Sequence, residues 1–264
     1  MGDGGIVSNC LIRRNATCAR RGGILLLALL AGCATQPPLI EPDPAWEPVR
    51  SATVLVIPPD SRIARVTLGG MEEERADWSR EARAELQDAL ATRLNWQGVS
   101  TVSYPSHGDV IPWRPEDAPL VAMHEVVGVS ILASERLPTQ RARRPHLDYS
   151  LGGAVKRLRE DFGADYALFV QCRASYPSEG RVAIGVMAVL AGRSVHMGSV
   201  FGFASLVDLA DGKVIWFSAP LNGSGARRGF GFGLPPPQLI ATADVREPDG
   251  AAAVADLLLA GVPL

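Results

Sequence analysis

The stretch Ala52 to Ile57 (Ala-Thr-Val-Leu-Val-Ile) is apolar at nearly every position and stops at Pro58 and Pro59. Successive side chains of a β-strand point to opposite faces, so a run with so little polar alternation predicts a strand buried on both. A sheet with one wet face is thereby disfavoured. The chain needs helices packed on its sheet.

The rest of the sequence supplies them. From Ser79 to Trp96 the apolar residues Ala82, Leu86, Leu90 and Leu94 recur at helical spacing, with Ser79 as the expected N-cap and Gly98 as the stop. Val99 to Tyr104 reads as a second strand, followed by a loop marked by Pro105, Gly108, Pro112 and Pro115. Pro119 to Glu135 reads as a helix through Leu120, Met123, Val127 and Ile131, although its Val-Val-Gly-Val-Ser-Ile centre also suits a strand. A third helix is expected from a cap at Ser150 through Leu151, Ala154, Val155, Leu158 and Phe162 to Gly163. Asp165 to Arg173 is the next strand. Phe203–Leu209 and Val214–Ser218 flank Ala210-Asp211-Gly212, and Asp-Gly between two such runs predicts a hairpin. A short helix is expected from Asp249 to Ala260. The apolar, glycine-punctuated stretch Gly180 to Gly192 fits neither period and is left unassigned.

This order predicts an α/β (α+β) sandwich, with a mixed sheet of about four to five strands and helices packed on it. The domain organisation expected is a signal peptide over 1–32, a lipidated cysteine and proline-rich tether over 33–50, the α/β domain over 51–220, and a Gly/Pro-rich loop with a short helix over 221–264.

Three features in order carry a resemblance: the buried strand with the Ser79–Trp96 helix, FGADYALFVQCR at 162–173, and ASLVDLADGKVIWFS at 204–218. They resemble the broad group of periplasmic lipoproteins whose small α/β domain is similar to the anticodon-binding domains of tRNA synthetases. That group includes the curli-secretion channel lipoprotein and the lipoprotein activators of penicillin-binding proteins. The likeness covers about residues 50–220 and rests on structural motifs. It implies a binding or assembly role without fixing the partner. A pore subunit would need amphipathic membrane hairpins; Gly180–Gly192 is apolar on both alternations and short.

The amino-terminal text agrees with that group. Arg13, Arg14, Arg20 and Arg21 precede an apolar run from Ile24 to Leu30, the pattern of a secretory signal peptide. Its core spans only about ten residues, against the roughly 20 that cross a bilayer. Leu30-Ala31-Gly32-Cys33 resembles a bacterial lipoprotein cleavage site, which implies diacylglycerol on the Cys33 thiol and acylation of the new amino terminus. One acyl chain holds reversibly and two or more hold stably, so three would make Cys33 a permanent tether to the membrane. Ala34 stands where inner-membrane retention would place Asp, which implies the outer membrane, facing the periplasm. The segment that follows, Thr-Gln-Pro-Pro-Leu-Ile-Glu-Pro-Asp-Pro, reads as a semi-extended spacer contributing no core residue.

Removing residues 1–32 takes away four arginines and one aspartate and leaves a net charge of −5, which gives no basic face for a nucleic acid. Cys10 and Cys18 leave with the signal and Cys33 is lipidated, so Cys172 has no internal disulfide partner; in its apolar run it is expected as a small buried side chain. His107, His124, His146 and His196 show no metal-ligand spacing. No Gly-x-Ser-x-Gly elbow is present, and Gly223–Gly229 lacks the spacing of a dinucleotide loop. Asp208 and Asp211 are expected to serve the turn, and Arg141, Arg143 and Arg144 a solvated loop. Arg227, Arg228, Phe230 and Phe232 lie in a glycine-rich loop. No catalytic, cofactor or metal residue is expected, and Cys33 is the one modification site. The expected function is a lipid-anchored, non-catalytic binding module docking onto another envelope protein. A subunit of an outer-membrane secretion or export complex is the alternative, and an envelope hydrolase a third.

Overall fold

Thr53–Val56 forms β1, and both its faces are covered, as its composition demands: Val54, Leu55 and Val56 are fully buried. The computed structural model describes Leu39 and residues 51–107, 111–134, 149–220 and 244–264. All belong to the second of the two units into which the chain divides, Pro37–Leu264. Cys33, His146, the arginines at 141–144 and the 227–232 loop lie outside the described residues.

The chain continues past Pro58-Pro59 into β2 (Asp60–Val66) and β3 (Glu72–Glu74), where the sequence had suggested a stop. Helix α1 (Ala76–Trp96), β4 (Ser100–Ser103) and α2 (Ala118–Ser134) follow. A 3₁₀ turn at Gly153–Val155 leads into α3 (Lys156–Phe162), closed by Gly163 in the left-handed region at φ 62°. Then come β5 (Tyr166–Pro177), α4 (Glu179–Leu190), β6 (Ser199–Asp208), β7 (Val214–Ser218) and α5 (Pro248–Leu258).

The mixed sheet has seven strands, more than the four to five expected, and β5 is its spine. Along one edge β5 pairs antiparallel with β6, from Tyr166↔Asp208 to Ser175↔Ser199. Its other edge is shared by two parallel strands: β1 takes Tyr166–Leu168, and β2 takes Gln171–Pro177. β4 is parallel to β1, β7 antiparallel to β6, and β3 antiparallel to β2. The two prolines that seemed to end the strand thus mark its passage from the first half of β5 to the second.

The pleat of β5 sorts the core into two clusters. Tyr166, Leu168, Val170, Cys172 and Ala174 face one side with Val54, Val56, Ala204 and Leu206, beneath the α1 stripe of Ala82, Leu86, Leu90 and Leu94. Ala167 and Phe169 face the other with Leu55, Phe203 and Phe217, beneath Leu120, Val121 and Ile131 of α2 and Leu158 of α3. The result is a three-layer α/β sandwich, the class read from the sequence. Val254, Ala255 and Leu258 of α5 join the first cluster, so the carboxy-terminal helix belongs to the same core as residues 51–220. Tyr176 accepts a hydrogen bond at its hydroxyl from Val245 N–H (2.9 Å), and Arg246 stacks over Trp78 of α1 at 3.9 Å from the ring centroid.

Three local readings are corrected. Ser79 does not cap α1, which begins at Ala76; its Oγ accepts from Ile63 N–H (2.9 Å) and donates to the Arg75 carbonyl (2.8 Å), joining α1 to β2. Ser150 does not cap a helix but bridges to Lys213 beside the hairpin. Leu39, in the expected spacer, donates its N–H to the Phe217 carbonyl (2.8 Å) and packs against the second cluster.

Candidate functional site

Among the described residues, the buried groups best suited to chemistry make contacts that hold the fold. His124 Nε2 lies 2.9 Å from Ser205 Oγ, a spacing that in an open cleft would suit a base and a nucleophile. Here both are buried, at 1% and 0% exposure, and the rings of Phe169 and Phe203 stand 5.3 and 5.2 Å from the imidazole. Burial pushes the His124 pKa down to about 3, outweighing the opposing pull of Asp60, so the ring is neutral at ordinary pH. The pair fixes α2 on β6. Nothing in the chain's spacing announces it, because its partners lie 81 residues apart.

Beside it, Arg173 on β5 donates to Asp60 Oδ2 (2.7 Å) and Glu125 Oε1 (3.2 Å), and Arg62 approaches the same two carboxylates at 3.7 and 3.8 Å. These charges tie β2, β5 and α2 together at the edge of a cleft of about 260 Å³, lined in part by Glu72, Ser175, Ser199 and Phe201. Each carboxylate of the cluster faces a guanidinium. A second knot centres on buried Asp117, which accepts from the Tyr104 hydroxyl (2.7 Å), Arg114 (2.6 Å) and Arg157 (2.6 Å). Burial opposes its charge, but these hydrogen bonds outweigh it and hold its carboxyl below the usual range.

The other sequence candidates fall where turn and core chemistry put them. Asp208 Oδ1 accepts from Ala210 N–H and Asp211 Oδ1 from Lys213 N–H, at 2.7 and 2.8 Å, shaping the hairpin turn. Cys172 is fully buried, and burial pushes its thiol up to about 12. His107 donates its backbone N–H to the Pro112 carbonyl, and His196 faces Glu72 at 3.4 Å. Among the described residues no group of three or more His, Cys, Asp or Glu is placed to hold a metal ion.

One region is built differently. The unassigned stretch forms α4, capped at Ser178, whose Oγ accepts from Arg181 N–H (3.3 Å). At 3.6 residues per turn, Arg181, Ile184, Gly185 and Ala188 share the inward side; all are buried or half-buried, and Gly185 is the most deeply buried. Val182, Val186, Met187, Val189 and Leu190 face outward, and Leu190, Val189 and Met187 are 78%, 72% and 67% exposed. Helices normally turn their large apolar residues inward. In α4 the most deeply buried position is a glycine, and five large apolar residues are outside.

The close fit of the inward side explains why. A Cβ on Gly185 would stand 2.6 Å from Met197 Sδ, and one on Gly180 would stand 2.9 Å from Leu68 Cδ1. Arg181 locks the arrangement, its Nε donating to the His196 carbonyl (2.9 Å) and its Nη1 to the Leu68 carbonyl (3.2 Å). Gly198, at φ 120°, lets the chain re-enter β6 where a Cβ would meet the Ser175 carbonyl oxygen at 2.1 Å. Leu68 and Met71, 59% and 74% exposed on the β2–β3 turn, add to the exposed apolar surface at this end of the sheet. A groove of about 750 Å³ runs between Leu68 and α4, lined by Leu68, Ile184, Met187, Ala188 and Val195 among others. A contiguous apolar surface of this kind marks a site of interaction. Among the described residues no helix is long and apolar enough to cross a membrane.

The α4 surface, with Leu68 and Met71, is therefore the candidate site. In comparisons with protein-family models, curated proteins and solved structures, the chain matches none.

Proposed function

We propose that this chain is a lipid-anchored cell-envelope protein, held through Cys33 to a membrane, and that its α/β domain is a non-catalytic binding module working through its α4 end. The observation that carries the reading is the inverted packing of α4: five large apolar side chains are presented to the outside while glycine is kept inside. Keeping such a surface exposed is costly unless something covers it in use. The Leu30-Ala31-Gly32-Cys33 text, with its basic and apolar lead-in, supports the anchor. The engagement of His124, Ser205, Asp60, Asp117, Arg173 and Cys172 in fold-holding contacts supports a role without chemistry.

The test has two parts. Metabolic labelling with palmitate should mark the wild-type protein and not Cys33→Ser, which should leave the membrane fraction; unchanged membrane association would refute the anchor. A photo-crosslinker at Val189 should give envelope adducts that one at Asp88, exposed on α1, does not. Equal or absent adducts at both positions would refute a binding role for this surface.

A further inference from the structure

We infer that the surface covered by α4 is the lipid bilayer itself: α4 lies in the membrane interface as a second contact beside the lipid on Cys33, and the two together fix the domain's orientation. This inference rests on the lipid-anchored reading above.

The helix has the dimensions of an interfacial element. Twelve residues at 1.5 Å each make it about 18 Å long, too short for a hydrocarbon core of about 30 Å. The outward residues Val182, Val186, Met187, Val189 and Leu190 cover an arc of about 160° at 100° per residue. No charged residue occurs between Arg181 and Arg193; Arg181 is held inward by its carbonyl contacts, while exposed Arg193 at the far end can lay its stem along apolar surface with its head among phosphates. Glu72, on the neighbouring strand, faces His196, and Glu73 is held by Arg65 at 2.7 Å.

The chemistry of the ridge selects lipid over protein. Protein interfaces centre on aromatic and arginine anchors, hydrogen bonds and shape-matched packing. The outward arc of α4 holds four aliphatic side chains and the thioether of Met187, with no aromatic ring and no hydrogen-bond donor. A convex apolar ridge meets a flat protein partner along a narrow strip, whereas acyl chains deform around all of it.

The tether keeps the domain close to the membrane. Leu39 is bound to the β7 edge through Phe217, and five residues separate it from Cys33, a span of at most about 21 Å when fully extended. A domain so closely held samples the surface at high effective concentration, so a modest apolar contact suffices. The β6–β7 turn lies at the opposite end of β5, about 36 Å away along its rise. With α4 on the membrane, that turn faces away from it.

The experiment uses the lipidated full chain in phosphatidylethanolamine–phosphatidylglycerol vesicles carrying nitroxide-labelled lipid. Bimane is attached to Leu190→Cys or, as control, to Ala210→Cys in the turn; native Cys172 is buried and does not compete. Quenching several-fold stronger at Leu190 than at Ala210, lost on adding Val186→Glu while the protein still floats with the vesicles, is the expected result. Equal quenching at the two sites with flotation intact would overturn the docking and leave the anchor standing. Disulfide-linked dimers of unlabelled Leu190→Cys under a mild oxidant, with no lipid quenching of the labelled protein, would overturn it in favour of a second copy. Failure to float would remove the anchor and this inference with it. Circular dichroism of each variant, unchanged from wild type, shows that the fold is retained.

Discussion

Helices α1 and α4 solve opposite problems with the same backbone. α1 places Ala82, Leu86, Leu90 and Leu94 on the sheet, all fully buried, and turns charged residues such as Asp88 to solvent. α4 places Gly185 against Met197 and turns Val186, Met187, Val189 and Leu190 outward. The first helix is held by burying its large side chains. The second is held by its cap, its close glycine contacts and the Arg181 clamp, which leaves its large side chains free for something outside the domain. Apolar content alone does not say which way a helix faces; the contacts that receive its inward side do.

The sharpest way to break this contrast is truncation on each helix. Leu90→Ala should lower the unfolding free energy by about 3 kcal/mol through lost burial and a residual cavity, whereas Leu190→Ala should change it by less than about 0.5 kcal/mol. Urea titration checks both, and equal losses would mean that the α4 face is covered within the monomer. The glycines sharpen the comparison further. A Cβ on Gly128 of α2 would stand 2.2 Å from the buried Phe203 ring, so Gly128→Val should cost about 2 kcal/mol by overpacking. Gly180→Ala meets only the exposed, flexible end of Leu68 and should be close to neutral in the same assay.

Acid tests the core side alone. Folding lowers the His124 pKa from 6.5 to about 3, so in between the unfolded chain binds a proton that the folded chain does not. Stability is full above pH 6.5 and should fall by up to about 1.4 kcal/mol per pH unit from there toward pH 3. His124→Asn, which keeps a hydrogen-bonding group toward Ser205, should flatten the decline between pH 6 and about 4; an unchanged slope would assign it to other groups. Smallest of all, Cys172 in the native protein should not react with a thiol reagent at pH 8 and should react fully in urea. Rapid native labelling would show that the core beneath α1 opens readily.

Much of the sandwich was legible because its elements carry strong local signals. The doubly apolar Ala52–Ile57 run, the α1 stripe, Gly163 as a helix stop and the Asp-Gly hairpin all act over short range. β2 was hidden because Pro58-Pro59 resembles a terminus and because Asp60-Ser-Arg-Ile-Ala-Arg-Val mixes core and surface residues. It becomes a strand because β5 is long enough to accept a second parallel partner beyond β1. Ser79 and Ser150 were misread as caps because Ser79 lies within the first turn of α1, where its hydroxyl also serves Ile63 across the chain, and Ser150 lies before the 3₁₀ turn, where its hydroxyl donates to the Gly212 carbonyl. The candidate surface was visible only as an apolar stretch without a period.

By itself, then, the sequence determined the class of fold, the two-faced burial of its central strand and the hairpin, because propensity, turn chemistry and hydrophobic period are properties of neighbours along the chain. It also carried the expectation of lipid on Cys33. Tertiary structure decided the rest: that β5 is a spine shared by two parallel strands, that α5 completes the core under α1, that His124 is sealed against Ser205, and above all which side of α4 faces out. Those outcomes depend on contacts between residues distant in sequence, such as Met197 filling the space over Gly185, and no local pattern encodes them.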